Sequence, residues 1–336
     1  MAAPLVLVTG ANGFIGSNLC ERSLREGYRV RGLVRGTADL AFLTGLDIEL
    51  VRGDITDPAS LARATEGVEV VVHVAGLAAD WGPYARFHAV NVEGTKHVAE
   101  SAARSGARRF VHLSSTAIHG FRGFRNASED APRPPSPFPY VETKRIAEEW
   151  LFEFAKSTPM TVTALRPGNV FGPKDHTFIE KYADALVAGN AAYVGGGRRW
   201  TCPTYIENLT DAIARACVEP AANGQAFLVT DGLVIDWKAF TEALANAIGA
   251  PPPRLSVPYW LAYPIAGAME GVYRALRSAT PPLLTCYRIA NGGRDYHFSI
   301  EKARRVLGWN PAVPFDESIR RTAEWYLGRA VAGTAR

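Results

Sequence analysis

Tyr140 and Lys144 stand four residues apart at the start of an amphipathic segment, Tyr140 to Lys156. In a helix that spacing puts both side chains on one face, one turn apart. Ser115 sits in Ser114-Ser115-Thr116, directly after the apolar run Arg109 to Leu113, at the carboxyl end of an expected strand. A phenol can give a proton to a carbonyl oxygen or take one from an alcohol, and a serine hydroxyl can hold that oxygen in place. An unperturbed tyrosine, with a pKa of about 10, is a poor base at neutral pH. A lysine ammonium one turn away favours the phenolate, so Lys144 is expected to lower the pKa of Tyr140. Tyr-x-x-x-Lys is common by chance, and its meaning depends on the elements around it.

Those elements begin as a run of βα units. Leu5 to Val8 is a short, wholly apolar strand of the kind buried on both faces of a parallel sheet. Gly10-Ala-Asn-Gly13-Phe-Ile-Gly16 and a helix, Ser17 to Glu26, follow it. Glycines at this spacing allow a sharp turn, a close approach to a pyrophosphate, and tight helix–strand packing. The helix N-terminus then offers free N–H groups and a positive dipole end to the phosphates. Gly10, Asn12, Gly13, Phe14, Ile15 and Gly16 are therefore the candidate dinucleotide contacts. Beside such a cradle, Ser115, Tyr140 and Lys144 suit hydride transfer to or from a nicotinamide, whose positive charge is expected to join Lys144 in lowering the Tyr140 pKa, with Lys144 also able to grip the nicotinamide ribose.

The second strand, Arg29 to Val34, ends at Arg35, about 20 residues beyond the glycines, where an acid would accept from the ribose 2′-hydroxyl. Arg35 with no acid beside it favours NADP(H), with NAD as the alternative. A third strand, Ile48 to Val51, leads to Asp54 and Ile55, where an acid can accept from the adenine amino group, whereas Asp57 before Pro58 reads as a helix cap. The fourth strand, Val68 to Val74, is followed by Ala75 and Gly76, small residues near the expected cofactor; His73 within it reads as a packed core histidine. Asp80-Trp81-Gly82-Pro83-Tyr84 is a loop able to face a substrate, with Trp81 as its candidate contact. A helix from Asn91 to Ser105 comes next. A Gly- and Pro-punctuated loop from Gly120 to Pro139, of a kind more often functional than idle, then precedes Tyr140.

Thr161 to Leu165 is a sixth strand, and beyond Pro173 the rhythm breaks. Helices are expected over Phe178 to Ala188, Asn208 to Cys217, Trp237 to Ile248, Ser299 to Leu307 and Phe315 to Leu327, with strands at Thr204 to Ile206 and Gln225 to Val229. The expected fold class is α/β, a Rossmann doubly wound parallel sheet over 1–173 to which 204–230 returns. A smaller C-terminal α+β substrate-binding domain takes 174–203 and 231–336. Leu255 to Met269 carries no charge, yet its 15 residues, interrupted by Pro264, fall short of the roughly 18 needed for a membrane span. Val257 to Leu276 reads first as a buried helix, then as an apolar lid over a greasy substrate or a membrane-surface helix.

With 336 residues, 47% of them hydrophobic, the chain can build a sizeable core. Its net charge is +4, and its basic pairs are scattered with no single basic block, which argues against a nucleic-acid partner. The four cysteines form no metal or redox motif, so no metal is expected and a reducing compartment fits. The first strand at Leu5 leaves no room for a leader, and the expected location is cytoplasmic.

Thr9-Gly10-x-x-Gly13-x-x-Gly16, Asp54, Ser115 and Tyr140-x-x-x-Lys144 together resemble the extended short-chain dehydrogenase/reductase superfamily, and Leu165-Arg-Pro-Gly-Asn-Val-Phe-Gly-Pro173 is similar to its loop after strand six. The resemblance covers essentially the whole chain. It implies a Rossmann domain with a small substrate domain, Asn91 as a helix residue supporting the proton network, Pro167 and Val170 lining the nicotinamide site, and a homodimer through two long helices. Val257-Pro-Tyr-Trp-Leu-Ala-Tyr-Pro264, Pro281 to Leu284 and Asp295 to Gly308 resemble the 3β-hydroxysteroid dehydrogenase branch, which handles sterols and other bulky apolar alcohols or ketones, sometimes at membranes. Asn169 and the loop Arg198 to Asn208 also resemble nucleotide-sugar epimerases and dehydratases, where an arginine such as Arg199 would hold a diphosphate. Arg35 is closer to the dihydroflavonol-reductase pattern than to the acidic strand end of NAD-using steroid enzymes. The resulting expectation is an NADP(H)-preferring oxidoreductase for a secondary alcohol or ketone on a 3β-hydroxysteroid-like small molecule. The alternatives are a nucleotide-sugar epimerase or dehydratase and a non-catalytic cofactor-sensing protein, which would have no need of the full Ser115, Tyr140 and Lys144 set.

Overall fold

Seven parallel strands form the central sheet of the computed structural model, which describes residues 3–334. They are β1 (Leu5–Thr9), β2 (Arg29–Val34), β3 (Glu49–Arg52), β4 (Val70–His73), β5 (Arg109–Leu113), β6 (Thr161–Pro167) and β7 (Ala226–Val229). Their order across the sheet is β3-β2-β1-β4-β5-β6-β7. The chain starts inside the sheet, builds outward to β3, then crosses back over β1 to start β4. That reversal leaves a crevice at the carboxyl ends of β1 and β4, the place where such sheets bind ligands.

Side-chain alternation along β1 divides the core. Val6 and Val8 join a cluster with Leu19 and Cys20 of the Phe14–Arg25 helix and Leu209, Ile213 and Cys217 of the Ile206–Val218 helix. Leu5 and Leu7 face the opposite layer, with Val98, Ala102 and Leu151 of the helices Gly94–Arg104 and Pro139–Phe154. All five residues of β1 are buried, which is why the strand reads as an unbroken apolar run. Cys20 and Cys217 are buried free thiols among aliphatics, the small apolar fillers their helical positions suggest.

Most expected elements exist with ends shifted by one to three residues, and four differ in substance. The helix expected from Asn91 begins at Tyr84 and runs to Arg104, with a wider π turn over His88–Glu93 that contains Asn91. Inside the Gly120–Pro139 loop lies a short strand, Phe124–Ala127, paired with Tyr296–Phe298. The last helix extends from Phe315 to Thr334. The buried-helix reading of 257–276 is overturned. A helix does form, Tyr259–Ala275, but only its inner edge of Ala262, Ala266 and Glu270 is buried, against the Cys286–Gly293 helix, and no layer among the described residues covers its outer face. Among the described residues no helix is long and apolar enough to cross a membrane.

Candidate active site

The glycine loop is shaped by close approach. A Cβ on Gly16 would stand 2.1 Å from the Gly10 carbonyl oxygen, so only glycine lets the helix seat against the loop. Gly10 has φ +66°, and a Cβ there would press on Ala75 at 3.0 Å. Gly13 is exposed, and a Cβ on it would meet only the Gly10 oxygen, at 3.3 Å, so the outer surface of the turn is bare backbone. No side chain caps the helix that follows, leaving its first N–H groups to an acceptor from outside the chain. These features fit a dinucleotide pyrophosphate. Asn12 lies partly buried in the turn, while Phe14 and Ile15 turn their side chains into apolar clusters and present only backbone to the crevice.

Arg35 is exposed just past the end of β2. A second cation, Arg52, aligns with Val34 in the β2–β3 register and donates from Nη1 to the Gly36 carbonyl at 2.5 Å. Sequence reasoning missed it because it belongs to the neighbouring strand. One Asp54 carboxylate oxygen accepts from the Thr56 N–H and hydroxyl at 2.9 and 2.8 Å. Asp57 does cap, accepting from the Ala59 N–H ahead of which Pro58 holds the first helical position. Ile55 is turned inward against Gly94, and its carbonyl contacts His97 Nδ1 at 3.0 Å.

Ser115 ends the β5 segment, 7% exposed, with its Oγ accepting from the Ala117 N–H at 3.1 Å. Its own proton is thereby free to face the Tyr140 phenol, whose pKa it works to lower. Tyr140 occupies the first turn of the Pro139–Phe154 helix, with Pro139 at the first position. Tyr287 meets the Tyr140 ring edge-on, the centroids 6.3 Å apart, and Phe121 and Phe138 meet Tyr287 and each other edge-on in turn. Burial pushes the Tyr140 phenol above its ordinary pKa of 10, and the neighbouring Ser115 hydroxyl offsets this only in part. The expected lowering by Lys144 is absent from the protein itself. Lys144 is buried, donates to the Leu113 carbonyl at 2.5 Å, lies 3.5 Å from His112 Nε2, and is itself pushed from 10.5 to about 8, chiefly by burial.

Lys144 is thus a cation held in a poor place. At pH 7, Lys144→Met is expected to raise unfolding stability by about 1–2 kcal/mol, the relief of burial less one lost hydrogen bond. Between about 8 and 10.5 the unfolded chain binds the lysine proton more strongly than the folded one, so wild-type stability rises with pH. Urea titrations across that window should show the two proteins converge; a gap independent of pH would refute this account.

A buried chain of hydrogen bonds, invisible in the sequence, runs behind the site. Thr9 Oγ1 accepts from the N–H groups of Val74 and Ala75, both at 3.1 Å, so its proton goes to His73 Nδ1 at 2.9 Å. His73, held neutral by burial with a pKa of about 3, therefore carries its proton on Nε2 and donates to Thr95 Oγ1 at 3.0 Å. Thr95 donates in turn to the Asn91 carbonyl at 2.7 Å. The Asn91 amide brackets Leu77, accepting from its N–H at 2.7 Å and donating to its carbonyl at 3.2 Å, and reaches Thr143 Oγ1 at 3.1 Å. Asn91 thereby joins the 75–77 backbone, beside exposed Gly76, to the helix bearing Tyr140. A second unseen feature, the Glu148 carboxylate on that helix, is wholly buried and paired with Arg166 of β6 at 2.5 Å and Arg133 at 3.0 Å.

The other candidates lie around this centre. Pro167 closes β6 and is buried; Val170 is partly buried between two apolar clusters. Asn169 donates to Thr201 Oγ1 at 3.0 Å and accepts from Asn291 at 3.2 Å. Trp81 is fastened rather than free: its indole donates to the Ser278 carbonyl at 3.1 Å, and its ring meets Tyr273 and the Arg274 guanidinium. Arg199, half exposed, lies 3.9 Å from Asp295, which Arg125 holds at 2.7 Å.

The NAD dependent epimerase/dehydratase family matches residues 6–229. A 2-alkyl-3-oxoalkanoate reductase from Stenotrophomonas maltophilia is 30% identical, over 94% of this chain and 97% of its own. The decarboxylating sterol-4-alpha-carboxylate 3-dehydrogenase of Mus musculus is 28% identical, over 94% and 89%. The UDP-glucose 4-epimerase of Thermus thermophilus, solved in complex with NAD, superposes with a TM-score of 0.77 at 24% identity, covering 96% of this chain and 99% of that one. At that identity the likeness is one of fold.

Proposed function

The chain belongs to the NAD dependent epimerase/dehydratase family, within the extended short-chain dehydrogenases/reductases, and from that premise we propose that it is an NADP(H)-preferring reductase of ketones on bulky apolar molecules. The observation that carries this reading is the placement of Tyr140 beside Ser115 at the carboxyl end of β5, within an aromatic wall in which Tyr287 meets the Tyr140 ring and Phe121 and Phe138 pack on Tyr287. That wall offers a sterol-like or long-chain ketone a complementary surface and offers a sugar diphosphate no charged partner. Arg199, the candidate diphosphate ligand, is near Asp295 instead. The names of the two relatives, a reductase of 2-alkyl-3-oxoalkanoates and a sterol dehydrogenase, support the same substrate class.

When bound, the nicotinamide supplies or takes the hydride. Gly10 to Gly16 would hold the pyrophosphate, Asp54 the adenine end, and Arg35 with Arg52 a 2′-phosphate. Tyr140, with its pKa raised by burial, is protonated at neutral pH and suited to give its proton to a ketone oxygen. Ser115 shares a hydrogen bond with that oxygen, and Lys144, bound to the Leu113 carbonyl, steadies the end of β5 beneath it. The direction best supported is reduction.

The test is NADPH consumption over a panel of 2-alkyl-3-oxo acids, 3-ketosteroids and UDP-glucose. Oxidation of NADPH by the bulky ketones is the expected result; conversion of UDP-glucose to UDP-galactose without net cofactor use would replace this reading with an epimerase. Removing both cations with Arg35→Asp and Arg52→Ala should cost roughly 10–100-fold in NADPH affinity and shift preference to NADH. An unchanged NADPH/NADH ratio would refute the assignment of the 2′-phosphate site.

A further inference from the structure

The outer face of the Tyr259–Ala275 helix has no partner among the described residues. Trp260 and Val272 are 74% and 56% exposed, Leu276 just beyond the helix 73%, and Leu283 on the following loop 77%. Leu261 and Ile265 are exposed between them. At 3.6 residues per turn, the residues from Trp260 round to Leu276 fill ~160° of the helix surface without a charge. A surface helix of a protein meant only for water carries polar residues on that arc.

The charge around the arc has one sign. From Pro251 to Arg294 there are five arginines and one acid, Glu270, so this segment carries the whole positive excess of the chain. Glu270 is buried and pairs with Arg274, Arg288 pairs with Asp80, and Arg294 lies over the Tyr259 ring; Arg254 before the helix and Arg277 after it are exposed. The inner side of the same segment reaches the catalytic centre. Thr285 and Arg288 hold Asp80, Ser278 and Arg274 hold Trp81, and Tyr287 stacks on Tyr140.

We propose that this face docks on an anionic lipid bilayer, with Trp260, Leu276 and Leu283 entering the acyl boundary and the arginines meeting the headgroups. An apolar arc edged by exposed cations fits an interfacial helix and is not long enough to span. Tyr287, which meets the Tyr140 ring, then belongs to the segment seated on the lipid, where a poorly soluble ketone resides. The docking itself stands apart from the catalytic reading, because its test reads lipid binding and not turnover.

The experiment is co-sedimentation of the full chain with vesicles of phosphatidylcholine alone and of phosphatidylcholine containing one quarter phosphatidylglycerol. The expected result is binding to the anionic vesicles, released at about 1 M salt, where the Debye length is ~3 Å. Arg254→Glu and Arg277→Glu should each weaken binding by about fivefold or more. Trp260→Asp with Leu276→Asp should abolish it while the thermal melt and circular dichroism stay those of wild type. Brominated lipid should quench wild-type fluorescence more than that of Trp260→Phe. No sedimentation with either vesicle, or equal sedimentation with both, overturns the proposal. So does a dimer that the aspartate pair converts to monomer without any lipid binding, which would assign the face to a second copy of the chain.

Discussion

Tyr140→Phe should lower turnover by about 10²–10⁴-fold and leave dinucleotide affinity near that of wild type. The substitution removes one oxygen and keeps the ring, so the packing of Phe121, Phe138 and Tyr287 has the same partner. Ser115 keeps its bond from Ala117 and stays in position. What disappears is the proton that the ketone oxygen must receive as the carbonyl carbon gains hydride. Steady-state kinetics with NADPH, paired with a fluorescence titration of NADPH binding, separate the two effects. A variant that turns over at near the wild-type rate would remove Tyr140 from the mechanism. In the wild type, burial of the phenol predicts that reduction stays level through neutral pH and declines only above it, as the proton is lost.

Arg166→Met should be the most destabilising single change near the site, at about 3–5 kcal/mol. Glu148 is wholly buried, and Arg166 supplies its short bidentate contact, with partly exposed Arg133 as the remaining cation. The same guanidinium reaches the Glu129 carbonyl and His119 Nε2, so its loss strands three acceptors at once. The Glu148→Met, Arg166→Met double variant should recover most of the loss, because no buried charge is then left unpaired. Burial alone would push the Glu148 carboxyl up, but Arg166 and Arg133 overcome it and hold it below its ordinary 4.5. The ion pair therefore contributes its full stability above about pH 4.5 and loses it as pH falls through the lowered folded value. Urea unfolding at neutral and acid pH checks both statements. A single variant as stable as the double one would show that the pair does not hold the catalytic helix to β6.

Local patterns carried much of this fold. The apolar runs of β1, β4 and β5 are buried on both faces, so each announces itself without reference to a partner. Gly10 and Gly16 are legible because only a missing Cβ permits the approach of loop, helix and Ala75. Distant partners were not legible. Arg52 meets Arg35's strand end through sheet register, and Tyr287 reaches Tyr140 across 147 positions of sequence. The Glu148–Arg166 pair reads locally as a polar helix position and a strand-end arginine, and only the packing shows both to be buried. Lys144 shows the reverse failure. Its spacing from Tyr140 was plain, but its effect on the phenol depends on where the ammonium points, and it points to Leu113 and His112. Likewise, the charge-free 255–269 stretch looked like core because composition does not say whether a second layer exists to cover it.

The place of β7 at the sheet edge has a kinetic consequence. Six strands are complete once Pro167 has been made, but the chain must travel about sixty further residues before Ala226–Val229 can pair with β6. Until then β6 presents an open row of N–H and C=O groups, the kind of edge that recruits strands from other molecules. Closing so long a loop costs entropy before any contact returns it, which makes this pairing a late event in folding. The Ile206–Val218 helix shortens that loop: it packs on the Phe14–Arg25 helix and leads to Ala222 and Gln225, whose carbonyls accept from the Thr163 hydroxyl and the Ala164 N–H where β7 begins.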